Sequence, residues 1–431
     1  MKPSNLLKKN NFLQNILLIV GGTAFSQVIG IMLIPVITRI YPPNQYGVLT
    51  AYTAILVMLS ISASFDYQKA IPIAKSEKSA INLLALSLFL LLMTTFLVLI
   101  ITAFWGSYLL TFFDMEILKE YKYLIPIGVL LSGIYTVFLH WGYRETAYKK
   151  IAKTTIIQSL ISNFTKILLG ILSFGPIGLV FGAIMNQSAG ISSLASPLIK
   201  DKNKLSIINL SEIKKVAKRY SKFPLYSAPS NYIYVAVDNM TVIFISFLFG
   251  NHVTGLFGLA NSIIRLPMNL ISTSVAQVFY AESAKLGKKN PDKIKKISLN
   301  LLKKLSLIAL LPLILLVFWG PELFSTVFGD QWYEAGEYAR VLSIMVYFQF
   351  IASPLGRILE VFERQKEGLI FNVSRLLVIG FIFFYAVYFK LTVLKTLFIF
   401  SVANSMTYIA LVVVVISIIN FEIKENFKRR L

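Results

Sequence analysis

Long apolar runs recur along this chain, and they constrain its fold more than any other feature. A run of roughly 20 mainly apolar residues crosses a bilayer as a helix. Inside the bilayer the backbone must satisfy its own hydrogen bonds, which a helix does without a partner strand. Twelve segments qualify: 12–37, 48–66, 79–104, 121–141, 154–174, 177–199, 223–248, 256–280, 303–319, 337–361, 369–389 and 393–418. Charged residues make up only 14% of the 431, and apolar residues 56%; soluble domains carry about 25% charged. The first run follows Lys8 and Lys9 as a signal peptide would. It exceeds a signal core in length and lacks an A-x-A cleavage site, so it reads as the first spanning helix. The expected fold class is all-α integral membrane, with 12 transmembrane helices.

The loops orient these helices. Stretches 1–11, 67–78, 142–153, 200–222, 281–304, 362–368 and 419–431 alternate with the others and together hold 32 Lys and Arg. The opposite connections hold Lys119 and Lys390, with Arg39 at the edge of the first run. That bias places the basic set, and with it both termini, in the cytoplasm. Topology thereby accounts for the net charge of +22, and nucleic acid is not an expected partner. The absence of cysteine excludes disulfides and thiol chemistry, and two histidines, His140 and His252, do not make a metal site.

The longest hydrophilic break is 200–222. In it Leu210, Ile213, Val216, Ala217 and Tyr220 recur at helical spacing, with Lys214, Lys215, Lys218 and Arg219 between them. The pattern predicts a basic amphipathic linker helix at the inner membrane surface. It divides the chain into an N-terminal six-helix lobe, 1–199, and a C-terminal six-helix lobe, 223–431. The two carry a faint repeat. Ile40-Tyr41 before Gly47-Val48-Leu49 returns as Leu248-Phe249 before Gly255-Leu256-Phe257, and Phe104-Trp105-Gly106 returns as Phe318-Trp319-Gly320. Six-helix repeats that both start inside are parallel, related by a pseudo-two-fold along the membrane normal.

An ionisable side chain at membrane depth is costly unless it faces water or a partner, so each one is a functional candidate. The fifth segment bears Thr155, Gln158 or Ser159, Ser162 and Lys166. The seventh bears Ser227, Asn231, Tyr234, Asp238 and Thr241, and the eighth Asn261, Arg265, Asn269 and Ser272. The tenth bears Gln349, Ser353 and Arg357, and the first Ser26 and Gln27. Stripes at this spacing on so many helices describe a wet cavity. Isolated Ser and Thr can equally be glue between helices. Arg39, Arg340, Arg357 and Arg375 lie near helix ends and can snorkel to the surface. Asp66 with Lys69, and Glu360 with Arg357 or Arg364, read as local pairs. Cations outnumber acids in the set, which suits an anionic cargo, a phosphate or an acidic sugar.

The sequence holds no GxxxxGK[ST], HExxH or DxD-type pair. The acidic groups Asp114, Glu116 and Glu120, and Glu322, Asp330, Glu334 and Glu337, read as solvated outer surface. The expectation is a transporter without a cofactor, not an enzyme. A polytopic membrane enzyme of polysaccharide assembly is the rival, disfavoured by short outer loops.

Three motifs then follow one another: G-T-x-x-S-Q-x-I-G from Gly22 to Gly30, P-x-x-T-R-x-Y from Pro35 to Tyr41, and P-x-x-Y-G from Pro43 to Gly47. With twelve helices and a basic middle loop, the chain resembles the polysaccharide or O-antigen flippases of the multidrug/oligosaccharidyl-lipid/polysaccharide (MOP) exporter superfamily. The motif likeness covers about residues 20–55 and the architectural likeness the whole chain. The resemblance implies two lobes in a V, alternating access and a place in the bacterial inner membrane. The implied cargo is an undecaprenyl-diphosphate-linked oligosaccharide moved from the cytoplasmic to the periplasmic leaflet. A polysaccharide polymerase and a chain-length regulator are candidate partners. Lys166, Arg265 and Arg39 match the family's cationic cavity residues in kind. Arg357, Arg375, Gln27, Asn231, Tyr234 and Asn261 complete the expected binding set. Asp238 is the expected ion-coupling acid, driven by a proton or sodium gradient. Within the superfamily, a drug exporter would carry an acid where Ser26 and Gln27 stand, and a lipid II flippase would have helices beyond twelve.

Overall fold

The structure is a computed structural model of the chain. It describes residues 3–113, 115–201, 204, 206–266, 271–287 and 290–428, with side chains except those of 3–20, 117, 273 and 428. The described residues form helices joined by turns, with no strand. The helices of the first part are α1 (Pro3–Ile40), α2 (Pro43–Ser60), α3 (Glu77–Phe112), α4 (Leu124–Arg144), α5 (Tyr148–Ile171), α6 (Pro176–Ser188), α7 (Ile191–Ile199) and α8 (Leu210–Arg219). Then come α9 (Ala228–Ile264), α10 (Thr273–Leu286), α11 (Pro291–Phe328), α12 (Tyr333–Leu355), α13 (Gln365–Tyr388) and α14 (Val393–Lys428).

Among the described residues, ten helical runs are long and apolar enough to cross a membrane, which makes this a multi-pass membrane protein. Two of the twelve expected segments are not separate members of the ten. Residues 48–60 belong to α2 and 61–66 to the turns after it, and the 18 residues of α2 open on the polar Pro43-Asn44-Gln45 and so lose apolar length. Residues 256–280 are divided between the end of α9 and α10, with Arg265 just past the end of α9.

By compactness the chain divides into two units, Met1–Asn251 and His252–Leu431. In the first, α1 lies along α5. Ser26 Oγ donates to the Thr155 carbonyl at 3.1 Å, and Ser159 Oγ donates to the Ser26 carbonyl at 3.0 Å. These hydroxyls join the helices, satisfying polar groups where lipid offers none. One apolar cluster forms around Tyr41, Tyr52 and Val129, and a second around Ile71, Ile81 and Trp141. The helix over 228–249 is held to this unit at both ends. Ser246 Oγ donates to the Phe113 carbonyl at 2.9 Å, and Phe247 stacks on Phe112 with centroids 4.5 Å apart. Gly250 breaks α9 with φ 75° and ψ −179°, a left-handed extended conformation open to glycine.

The basic helix α8 is present, started by Asn209, whose side chain accepts from the Ser211 amide. Its apolar stripe is divided, with Leu210 exposed and the rest packed on protein. Val216 is buried, and Ile213, Ala217 and Tyr220 pack against the second cluster beside α3. Asn82 fastens the approach to it, donating to the Ile207 carbonyl at 3.3 Å and accepting from the Asn209 amide at 3.0 Å. A protein groove competes with the membrane for an amphipathic stripe, and here the groove holds all of it but Leu210.

In the second unit α11 packs on α12 at backbone contact. A Cβ on Gly336 would lie 2.4 Å from Pro321 Cα and 2.5 Å from the Gly320 carbonyl, so only glycine fits. Ser401 joins α14 to α12, donating to the Val341 carbonyl at 2.7 Å and accepting from the Met345 amide at 3.2 Å. The internal repeat has matching local geometry. Phe104 and Trp105 hold their rings 5.9 Å apart at 57°, and Phe318 and Trp319 hold theirs 5.9 Å apart at 55°. All four rings are exposed, as suits a lipid-facing surface. The helix breaks also correspond, at Pro42 in one half and Gly250 in the other.

Candidate functional site

Among the described residues, the most completely enclosed charge in the first unit is Asp66. It lies in the turns between α2 and α3, with a left-handed backbone (φ 60°) and no exposed surface. Its Oδ2 accepts from Ser227 Oγ at 2.6 Å, from Asn231 Nδ2 at 2.5 Å and from Lys69 Nζ at 3.0 Å. Burying a carboxylate is expensive unless donors replace its water, and three donors on one oxygen do so. Its other oxygen, Oδ1, is buried without a hydrogen-bond partner among the described residues. Ser62 Oγ donates to the Ala228 carbonyl at 3.3 Å and Tyr67 OH to the Ala217 carbonyl at 3.0 Å. Residues 62–69 therefore clasp residues 217–231, the stretch from α8 into α9. Arg144 fixes the clasp from α4, donating to the carbonyls of Ile71 and Ala74 at 3.1 and 2.9 Å. His140, on the same helix, lies close enough to feel the charges of Asp66 and Lys69. Its Nδ1 meets the Thr136 carbonyl at 2.8 Å, so that nitrogen carries the proton.

Ser227 and Asn231 reach Asp66 because they are four residues apart at the start of one helix, on one face. A π-turn over Phe223–Ser227, opened by Pro224, sets that register. Further along the same stripe Tyr234 is exposed and Asp238 is half-buried.

Lys166 is half-buried near the end of α5, five residues from Ile171. That is about 7.5 Å along the axis. The helix begins at Tyr148, earlier than the apolar segment that starts at 154. Its stem crosses Gly182 of α6, where a Cβ would come within 2.3 Å of Lys166 Cγ. Tyr41 OH donates to the Lys166 carbonyl at 2.7 Å, holding that turn. No hydrogen bond or ion pair reaches its amine among the described residues. Gln27 on α1 is half-buried, and its Oε1 lacks a hydrogen-bond partner; so do Gln158 Nε2 and Ser162 Oγ on α5. Buried amide and hydroxyl atoms left this way are available to a ligand or water.

The other candidates are scattered. Arg39 is exposed and turns back onto the Pro35 carbonyl at 3.3 Å. In the second unit Arg265 donates through Nε to Asn261 Oδ1 at 2.8 Å, so these two predicted residues form one half-buried group. Arg357 is exposed and paired with Glu360 at 2.6 Å. Arg375 is buried against two aromatic rings, with its guanidinium 4.9 Å from the Tyr408 centroid and 5.7 Å from that of Phe371. Asn269 and Asp114 lie outside the described residues. Among the described residues, no group of three or more His, Asp or Glu could hold a metal ion.

A family model described as "Polysaccharide biosynthesis protein" matches residues 36–337, more than two thirds of the chain. The teichuronic acid biosynthesis protein TuaB of Bacillus subtilis (strain 168) is 26% identical over 204 residues, which are 47% of this chain and 39% of that protein's length. Among solved structures, an inward-facing multidrug resistance MATE family transporter of the MOP superfamily superposes with a TM-score of 0.76. The identity is 15%, over 92% of this chain and 96% of that one. A MOP superfamily transporter from Pyrococcus furiosus, whose binding pocket is described as reversed in polarity, superposes with a TM-score of 0.60 at 15% identity, over 95% of each chain. At such identity the likeness is one of fold.

Proposed function

This chain belongs to the polysaccharide biosynthesis protein family and has the fold of a MOP superfamily transporter, and from that premise we propose that it is a flippase for a lipid-linked oligosaccharide. The observation that carries the cargo class is Lys166, a half-buried cation with no counter-charge among the described residues. A diphosphate linker supplies that counter-charge, and Gln27, Gln158 and Ser162 offer polar atoms without internal partners to a sugar. In the second unit the Arg265–Asn261 group is the corresponding cationic candidate. The cargo is an undecaprenyl-diphosphate-linked repeat unit, moved from the cytoplasmic to the outer leaflet by alternating access of two six-helix lobes. TuaB's role in teichuronic acid biosynthesis is consistent with an acidic sugar polymer.

The sequence holds no nucleotide-binding loop, so a proton or sodium gradient drives transport and Asp238 is the coupling acid. Asp66 has a different part: its clasp fixes the start of α9, and with it the position of the Asp238 stripe. The test is genetic. Loss of this protein should strand complete, single lipid-linked repeat units on the inner leaflet. If single units instead reach the cell surface, the chain acts after flipping, as a polymerase would, and the reading fails.

A further inference from the structure

The second unit holds a cavity of about 510 Å³ at the helix ends farthest from the lysine-rich start of α11. Its walls come from α12, α13 and α14. Tyr385, Leu394 and Phe398 supply exposed apolar surface, and Glu337, Arg340 and Lys395 supply charge. The Ser401 bridge described above fixes the α12 wall at Val341, which lines the cavity.

The charges here are not explained by topology. The connections on this side of the membrane are poor in Lys and Arg, as the positive-inside bias requires. Yet Arg340 and Lys395 converge on one pocket, with Lys390 in the adjoining turn. Neither Arg340 nor Lys395 has an ion pair among the described residues, despite the nearby Glu337. Arg340 Nε is buried without an acceptor. A buried guanidinium N–H without an acceptor loses its water with nothing in return, and a bound anion restores the hydrogen bond. Two cations against one carboxylate leave a net charge of +1, which matches the single negative charge of a phosphodiester better than a diphosphate. The carboxylate can accept hydrogen bonds from hydroxyl groups on the same headgroup. Apolar walls that open on the bilayer suit an acyl chain.

We propose that this pocket binds a phospholipid with a glycerol-phosphate headgroup, in the leaflet opposite the lysine-rich loops. Arg340 and Lys395 hold the phosphodiester, Glu337 accepts from a glycerol hydroxyl, and an acyl chain lies along Leu394, Phe398 and Tyr385. None of the proposed cargo residues lines this pocket.

The test uses the full chain in nanodiscs of mixed phosphatidylglycerol and phosphatidylcholine with identical acyl chains, read by native mass spectrometry after mild delipidation. The wild type should retain one phosphatidylglycerol in preference to phosphatidylcholine. Lys395→Gln and Arg340→Gln should each weaken that retention about tenfold, the loss of one charged hydrogen bond. Lys395 is exposed, so its replacement leaves the fold intact even if Arg340→Gln does not. Glu337→Gln should keep phosphate binding and lose the preference for phosphatidylglycerol over phosphatidic acid. Equal retention of both lipids by the wild type, or an unchanged Lys395→Gln variant, overturns the proposal. Displacement of phosphatidylglycerol by equimolar inorganic phosphate or by a lipid diphosphate overturns the headgroup assignment.

Discussion

Asp66 and Asp238 occupy the same unit and make opposite use of it. Asp238 stands in the middle of a long apolar helix and is half-buried. Asp66 ends the second apolar run, 48–66, and lies in the turns between α2 and α3 with no exposed surface. The difference teaches that place along an apolar run does not set burial. Packing of the connection against the next helix does, and a carboxylate enclosed that way needs every donor it has. Asp66 therefore serves the architecture, and Asp238 is the proposed transport acid.

The strongest way to break this comparison is Asp66→Ala. It removes the acceptor for Ser227, Asn231 and Lys69 together, and should cost roughly 2–4 kcal/mol, read as a lower thermal unfolding midpoint in detergent. Asp66→Asn keeps one carbonyl acceptor and should recover part of that loss. A gradient response abolished in a well-folded Asp66→Asn protein, with Asp238→Asn normal, would exchange the two roles. Next in size are Ser227→Ala and Asn231→Ala, about 1–2 kcal/mol each for one hydrogen bond to a charge, and less than additive because they share Oδ2. Asp238→Asn should shift stability by less than about 0.5 kcal/mol while removing the response of transport to an imposed gradient.

The smallest effect lies at α8. Hydrogen bonds from Lys215 and Lys78 hold the half-buried Glu212 carboxyl below its usual range. A depressed acid stabilises the docked helix above its ordinary value, about 4.3. That contribution disappears as pH falls through the lowered value. Hydrogen-exchange protection in 210–219, taken relative to the intrinsic rate at each pH, should stay constant from neutral pH to about 5 and fall only in stronger acid.

Much of this was legible in the sequence. The apolar runs and the cationic bias of alternate loops specify a membrane bundle, and the Phe-Trp-Gly pair marked a repeat whose ring geometry matches in both halves. The site was less legible, because hydropathy reports on single segments and a site is made of several. Arg375 illustrates the limit: Phe371, four residues earlier, is visible in the sequence, whereas Tyr408 arrives from another helix. Asp66 did leave a signal. The connection after it continues Ala70-Ile71-Pro72-Ile73-Ala74, apolar residues that a solvated basic loop has no use for, and Ala70 and Ile71 are buried. The division of 256–280 was hidden because its apolar content stays high across the junction.

The central claim we propose is that this protein moves a diphosphate-linked oligosaccharide across a bilayer, with Lys166 in the first unit and Arg265 in the second as its proposed cationic residues. The most direct measurement is the transbilayer rate of a fluorescent lipid-diphosphate oligosaccharide in vesicles containing the full chain, with and without an imposed ion gradient. We predict movement well above protein-free vesicles, faster with the gradient, and slowed about tenfold or more in Lys166→Ala and in Arg265→Ala at matched incorporation. A rate equal to that of protein-free vesicles under every gradient would contradict the claim, as would wild-type rates in both variants.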